Sequence, residues 1–122
     1  MITEDYVSFE VAKLLKEKGF KILTYKVYDN QNELDDQCAV CWVEKRLPYI
    51  SAPTLQMAVK WLMEFHNIFI SVGLDIFSKM YFATVYNQLD CATPNPRYGT
   101  DLFKTPKEAF ETAIKYSLEN LI

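Results

Sequence analysis

Apolar residues recur three and four positions apart in some stretches of the chain and at alternate positions in others, and this contrast divides the sequence into elements. In the first helical stretch Val7, Val11, Leu14 and Leu15 share one face, while Lys13, Lys16 and Glu17 share the other. Ser8 stands where a helix start needs a cap, Glu10 suits its positive end, and Gly19 offers a left-handed stop. From 20 to 29 the period changes to two: Leu23, Tyr25 and Val27 alternate with Thr24, Lys26 and Tyr28. A half-buried strand follows from that alternation. The polar run 30–36 reads as a loop and 38–44 as a second strand, so the two strands are expected to form an antiparallel hairpin.

Pro48 and Pro53 bracket a turn that leads into a central helix over 54–67. Leu55, Ala58, Leu62 and Phe65 recur at helical spacing, with Met57 and Trp61 widening the apolar face. Residues 68–72 are β-branched and short, hence a strand, and 79–87 alternates and is expected to pair with it. Residues 87–104 lack periodicity and contain two prolines and a glycine, which predicts a long loop. Thr105, Pro106 and Glu108 then open a last helix as cap, first-turn proline and back-reaching carboxylate, with Phe110, Ala113, Ile114 and Leu121 as its stripe. The expected order is α-β-β-α-β-β-α. Helix plus hairpin occurs twice, which hints at a duplicated unit. This order predicts a single α+β domain over 1–122, with a mainly antiparallel sheet and helices packed on one face.

Composition agrees with a folded domain. Of 122 residues 50% are hydrophobic and 15% aromatic, enough for a core without disulfides or metal. Thirteen basic and sixteen acidic residues give a net charge of -3. The basic residues are dispersed, which disfavours general binding to nucleic acid or to anionic membrane. No apolar run approaches the roughly 20 residues needed to span a bilayer. The acidic start lacks the pattern of a signal peptide, and three cysteines are an odd number for a disulfide framework. A cytoplasmic protein with reduced thiols is expected.

Three blocks are familiar together: Ser8-Phe9-Glu10-Val11-Ala12-Lys13-Leu14-Leu15-Lys16-Glu17-Lys18-Gly19-Phe20, Ala52-Pro53-Thr54-Leu55-Gln56-Met57-Ala58-Val59-Lys60-Trp61-Leu62, and the run from Glu108-Ala109-Phe110 to Asn120-Leu121-Ile122. They resemble a family of small hypothetical proteins of gut bacteria and their prophages or other mobile elements. The resemblance implies a bacterial cytoplasmic accessory protein. It carries no activity, ligand or site residue with it.

Several groupings invite a chemical reading. Cys38 and Cys41, with Cys91 and His66, contain the donors of a zinc site. In an extended strand, however, residues three apart point to opposite faces, and no Gly or Pro stands beside the pair to turn it. Buried apolar thiols are the plainer reading, and no metal or cofactor is expected. A redox pair would want its first Cys at a helix start. His66, the only histidine, falls at the end of the central helix, where the dipole favours an imidazolium. The acidic run 29–36 resembles a calcium loop but has Leu34 where the turn glycine belongs. Only three glycines occur, and no phosphate-binding glycine loop is present.

The long segment around Arg97 and Tyr98 is the place where binding is expected, although a merely variable connection is the commoner reading of such a stretch. Arg97 and Tyr98 would offer a guanidinium and a ring to a carboxylate, a phosphate or a partner's backbone. Tyr28, Tyr81 and Tyr86 are candidates for an exposed aromatic sheet face, suited to a protein partner or a second subunit. The leading expectation is a non-enzymatic module for protein interaction or self-association. A small nucleic-acid-binding regulator, with its lysines gathered on one face, is the second reading. The third is an enzyme with an unfamiliar site built on His66 or a carboxylate in a pocket.

Overall fold

The computed structural model describes residues 5–20, 26–28, 34–36, 50–87 and 98–122. Helices and antiparallel sheets make an α+β fold, and the chain divides into two compact units, residues 1–54 and 55–122.

In the first unit, helix α1 (Phe9–Glu17) starts where the sequence places it. Ser8 has an extended backbone, and its hydroxyl accepts from the Val11 amide at 3.3 Å. Val11, Ala12 and Leu15 are buried on one side. The helix ends at Gly19 (φ 99°), whose amide donates to the Lys16 carbonyl while the Phe20 amide donates to that of Leu15. Only a residue without a Cβ takes that backbone angle at little cost, and the paired bonds satisfy two carbonyls of the last turn. Phe20, which the alternation assigned to a strand, is instead the buried residue that closes this helix against Leu15.

Strand β1 (Lys26–Tyr28) lies between β2 (Leu34–Asp36) and β3 (Ile50–Ala52), antiparallel to both. Here the structure corrects the sequence reading, because β2 comes from the acidic run assigned to a solvated loop. Ladder hydrogen bonds are made by the backbone, so a polar strand pairs without an apolar signature. The expected strand 38–44 lies outside the described residues. Helix α1 packs on β3, and the Val7 amide donates to the Pro53 carbonyl at 3.0 Å, tying the chain before the helix to the chain after the sheet.

The second unit contains helix α2 (Leu55–His66), strands β4 (Ile68–Asp75), β5 (Met80–Asn87) and β6 (Tyr98–Gly99), and helix α3 (Pro106–Asn120). The sheet order is β4-β5-β6, antiparallel throughout. Helix α2 stops at Asn67, in the left-handed region at φ 55°, which asparagine tolerates better than most residues. The chain then turns directly into β4. Opposite residues of an antiparallel pair share a face, so Ile68, Ile70, Val72 and Leu74 lie with Val85, Ala83 and Tyr81, and with Tyr98 from β6. Ile68, Ala83 and Val85 are buried on this face. Helix α3 packs on β4 and β5, and α2 packs on β4 and α3. The buried residues of α3 include Ala109, Ala113 and Ser117 at successive turns, small side chains that let a helix approach a sheet closely. The Ser117 hydroxyl donates to the Ala113 carbonyl at 2.9 Å. Thr105 caps α3 by accepting from the Glu108 amide, with Pro106 in the first turn, as the sequence predicts.

The other face carries Phe69, Ser71, Gly73, Met80, Phe82, Thr84 and Tyr86. Gly73 has a packing reason, since a Cβ there would lie 2.9 Å from the ring of Phe82, its partner across the ladder. The ring covers the bare backbone and restores the contact a side chain would have made. The Gly73→Ala substitution is therefore expected to destabilise more strongly with Phe82 present than in a Phe82→Ala background. Urea unfolding of the double-mutant cycle should return a coupling on the order of 1 kcal/mol, and no coupling would remove the steric explanation.

Candidate interaction surface

Of the five candidate binding residues, the structure describes Tyr28, Tyr81, Tyr86 and Tyr98. Arg97 lies outside the described residues, as do Cys38, Cys41 and Cys91. Tyr28 belongs to the first unit's sheet and is only 9% exposed. Its hydroxyl donates to the carbonyl of Val7, and its ring meets the edge of Phe9 at a centroid distance of 5.6 Å. The exposed position expected for Tyr28 is corrected accordingly: a partner 21 residues away satisfies the hydroxyl and lets the ring join the core. Tyr81 and Tyr86 are both half-buried on β5, but five residues apart they point to opposite faces of the sheet.

Tyr98 sits on an edge strand opposite Val85, and its ring stacks on Tyr116 of α3 with centroids 3.9 Å apart and planes within 7°. Beyond β6 the pairing continues: the Thr100 amide donates to the Ala83 carbonyl, and the Thr100 hydroxyl accepts from the Ala83 amide at 2.8 Å. Tyr81 and Phe103 then exchange both backbone bonds at 2.7 Å. Asp101 and Leu102 together span the place of Phe82, a one-residue bulge. The stretch from 98 to 103, assigned to a loop, is thus a bulged sheet edge in which Tyr98 is an anchor. Removing either ring should release that edge. A Tyr98→Ala/Tyr116→Ala cycle is expected to show about 1 kcal/mol of coupling, with faster hydrogen exchange at Thr100 and Phe103. Unchanged exchange there would mean that the stack does not hold the edge.

His66 lies at the end of α2 with its ring edge-on to Trp61, centroids 4.6 Å apart. Among the residues whose burial is described, no carboxylate, lysine or histidine is buried. Of the five lysines of the second unit, Lys60 lies on α2, Lys79 on the β4–β5 turn, Lys104 just before α3, and Lys107 and Lys115 on α3. Lys60 and Lys115 reach Glu64 and Glu119 one turn on, at 3.9 and 4.0 Å. These exposed pairs contribute little to stability but dilute any positive patch.

The outstanding feature of the described surface is the β4–β5 turn, which the sequence reading left unassigned. Phe77 is 99% exposed and Ile76 79%, next to Leu74 at 52%. The turn that carries them is built, not loose. Asp75 accepts from the Phe77 amide and from the Ser78 hydroxyl, each at 3.1 Å, while its carbonyl accepts from the Lys79 amide at 2.7 Å. The Ser78 oxygen also accepts from the Met80 amide. The available signal was an Asp three residues before a Ser between two alternating segments, a side-chain-closed turn, with two large apolar residues at its centre. Lys79 completes the turn at φ 59°, a strained angle for a residue with a Cβ. The Lys79→Gly change is expected to stabilise the protein by about 1 kcal/mol in urea unfolding, and a loss of stability would contradict the turn geometry.

No helix among the described residues is long and apolar enough to cross a membrane. The chain matches no family model, no curated protein and no solved structure.

Proposed function

We propose that the chain is a non-enzymatic interaction module, which binds a protein partner or a second copy of itself in the bacterial cytoplasm, as an accessory protein of a bacterial or mobile-element genome. The observation that carries this reading is the hairpin tip, where Ile76 and Phe77 stand almost fully in water on a turn closed by Asp75 and Ser78. Burying such a side chain in a partner gains about 1.5–3 kcal/mol, and a preformed turn lowers the entropy cost of ordering it. The bacterial and mobile-element setting is drawn from the resemblance of the three helical blocks.

The competing readings have less behind them. Among the described residues of the second unit, lysines spread over α2, the β4–β5 turn and α3, two of them paired with glutamates, offer no continuous track for phosphates. The tip has Lys79 beside it but also Asp75, so it lacks the basic cluster that draws apolar loops to anionic lipid.

The test is the double substitution Ile76→Ser/Phe77→Ser. Exposed positions contribute little to folding, so stability should change by less than about 0.5 kcal/mol. Association should weaken at least tenfold, read by sedimentation for self-association and by cross-linking from position 77 for a heterologous partner. A variant that associates as well as the original would sink the reading, and so would several kcal/mol of lost stability, which would make the tip a structural element.

A further inference from the structure

The left-handed residue of the β4–β5 turn is a lysine. At φ 59° a Cβ is crowded by the backbone, and glycine or asparagine is the ordinary occupant of such a position. Closure of the turn uses only the backbone of Lys79. Its amide donates to the Asp75 carbonyl, while the Asp75 carboxylate and the Ser78 hydroxyl make the other bonds. The Lys79 side chain is exposed, and among the described residues no carboxylate pairs with its ammonium. The fold thus tolerates a strained side chain from which it gains no contact. Strained residues of this kind cluster at binding and switch sites, where the side chain is needed by something outside the fold.

Lys79 follows Phe77 by two positions, so their Cα atoms are at most about 7 Å apart. A surface that buries Ile76 and Phe77, 79% and 99% exposed, comes within reach of the ammonium on its flexible stem. Without a counter-ion there, the cation would lose water and weaken the contact. A carboxylate on that surface turns the same cation into an anchor. Within the turn, the Asp75 carboxylate is already engaged by the Phe77 amide and the Ser78 hydroxyl. Contact between two copies, tip to tip, would bring both Lys79 ammonium groups together, and like charges oppose association.

We propose that Lys79 determines the specificity of the hairpin tip, whose partner is a different protein with an apolar pocket for Ile76 and Phe77 bordered by a carboxylate for the Lys79 ammonium. This rests on the interaction reading above and names the chemistry of its partner. Stability and association then move in opposite directions at one position. Lys79→Gly relieves the backbone and raises the urea midpoint, yet weakens association about fivefold or more, because the cation is lost. Salt supplies a second sign. Apolar burial is not weakened by salt, whereas an ion pair is screened, so wild-type affinity falls as NaCl rises and that of Lys79→Gln falls less.

In the test, a photoactivatable cross-linker at position 77 of the full chain, expressed in its own host, traps the partner. That protein, purified, is the probe for titration calorimetry. Lys79→Arg keeps both the charge and the backbone strain, and should bind within about twofold of the wild type. Lys79→Gln should bind about fivefold more weakly or worse, and Lys79→Glu at least about tenfold more weakly. Replacing the partner's carboxylate beside the cross-link by lysine should restore binding to Lys79→Glu. Circular dichroism should be unchanged throughout, and Lys79→Gln keeps the test open if the acidic variant disturbs the turn.

A Lys79→Gln variant that binds as tightly as the wild type, or an affinity indifferent to salt, overturns the proposal. The interaction reading survives that result if Ile76→Ser/Phe77→Ser still abolishes binding. A cross-link to a second copy or to lipid overturns the choice of partner, and no cross-link from position 77 at all overturns both readings.

Discussion

Pairing Ile70 with Val85 and Val72 with Ala83 puts four apolar side chains on the face against which α3 packs. A slip of one residue would pair β4's inward side chains with Thr84 and Phe82, and would turn the tightly buried Ala83 and Val85 away from their neighbours. The rest of the second unit follows from this ladder. It decides which β5 amides remain for Thr100 and Phe103, and hence where β6 lies and how Tyr98 reaches Tyr116. It also decides which β4 backbone groups are left over, and it makes the Asp75–Met80 pair the base from which the tip projects.

The register survives two residues that ordinarily weaken a strand. Gly73 offers no side chain, but the Phe82 ring covers its backbone from the neighbouring strand. Asp75 is a poor strand former, yet it ends β4 by spending its carboxylate on the turn. Both defects of β4 are thus repaired by contacts that lie close in space.

These repairs also explain which parts of the fold were readable. The helix boundaries follow local chemistry, in which Ser8, Gly19 and Thr105 act within a few residues of themselves, and all three stand where the sequence places them. Strand limits depend on partners. The β-branched run ends at Val72, and pairing with Phe82, Tyr81 and Met80 across the ladder carries β4 on to Asp75. Strand β2 has no apolar pattern and exists through backbone bonds to β1. Tyr98 looks like a loop residue until Val85 and Tyr116 are beside it. Among the candidate binding residues, Tyr28 failed the expected exposure because its partner, Val7, is remote in sequence. The opposite facing of Tyr81 and Tyr86, by contrast, follows from their odd spacing alone.

The strongest reason to seek function at the hairpin tip is the division of labour within the turn. Closure is performed by the Asp75 carboxylate and carbonyl, the Ser78 hydroxyl and the left-handed backbone of Lys79. None of these contacts uses the side chain of Ile76 or Phe77, and polar residues at both positions would close the hairpin equally well. Turn centres are ordinarily polar, because apolar side chains there gain nothing from folding and invite association. A core residue is explained by what it touches inside the fold. Ile76 and Phe77 are 79% and 99% exposed, and the proposed interaction would give them the contact that the described fold does not.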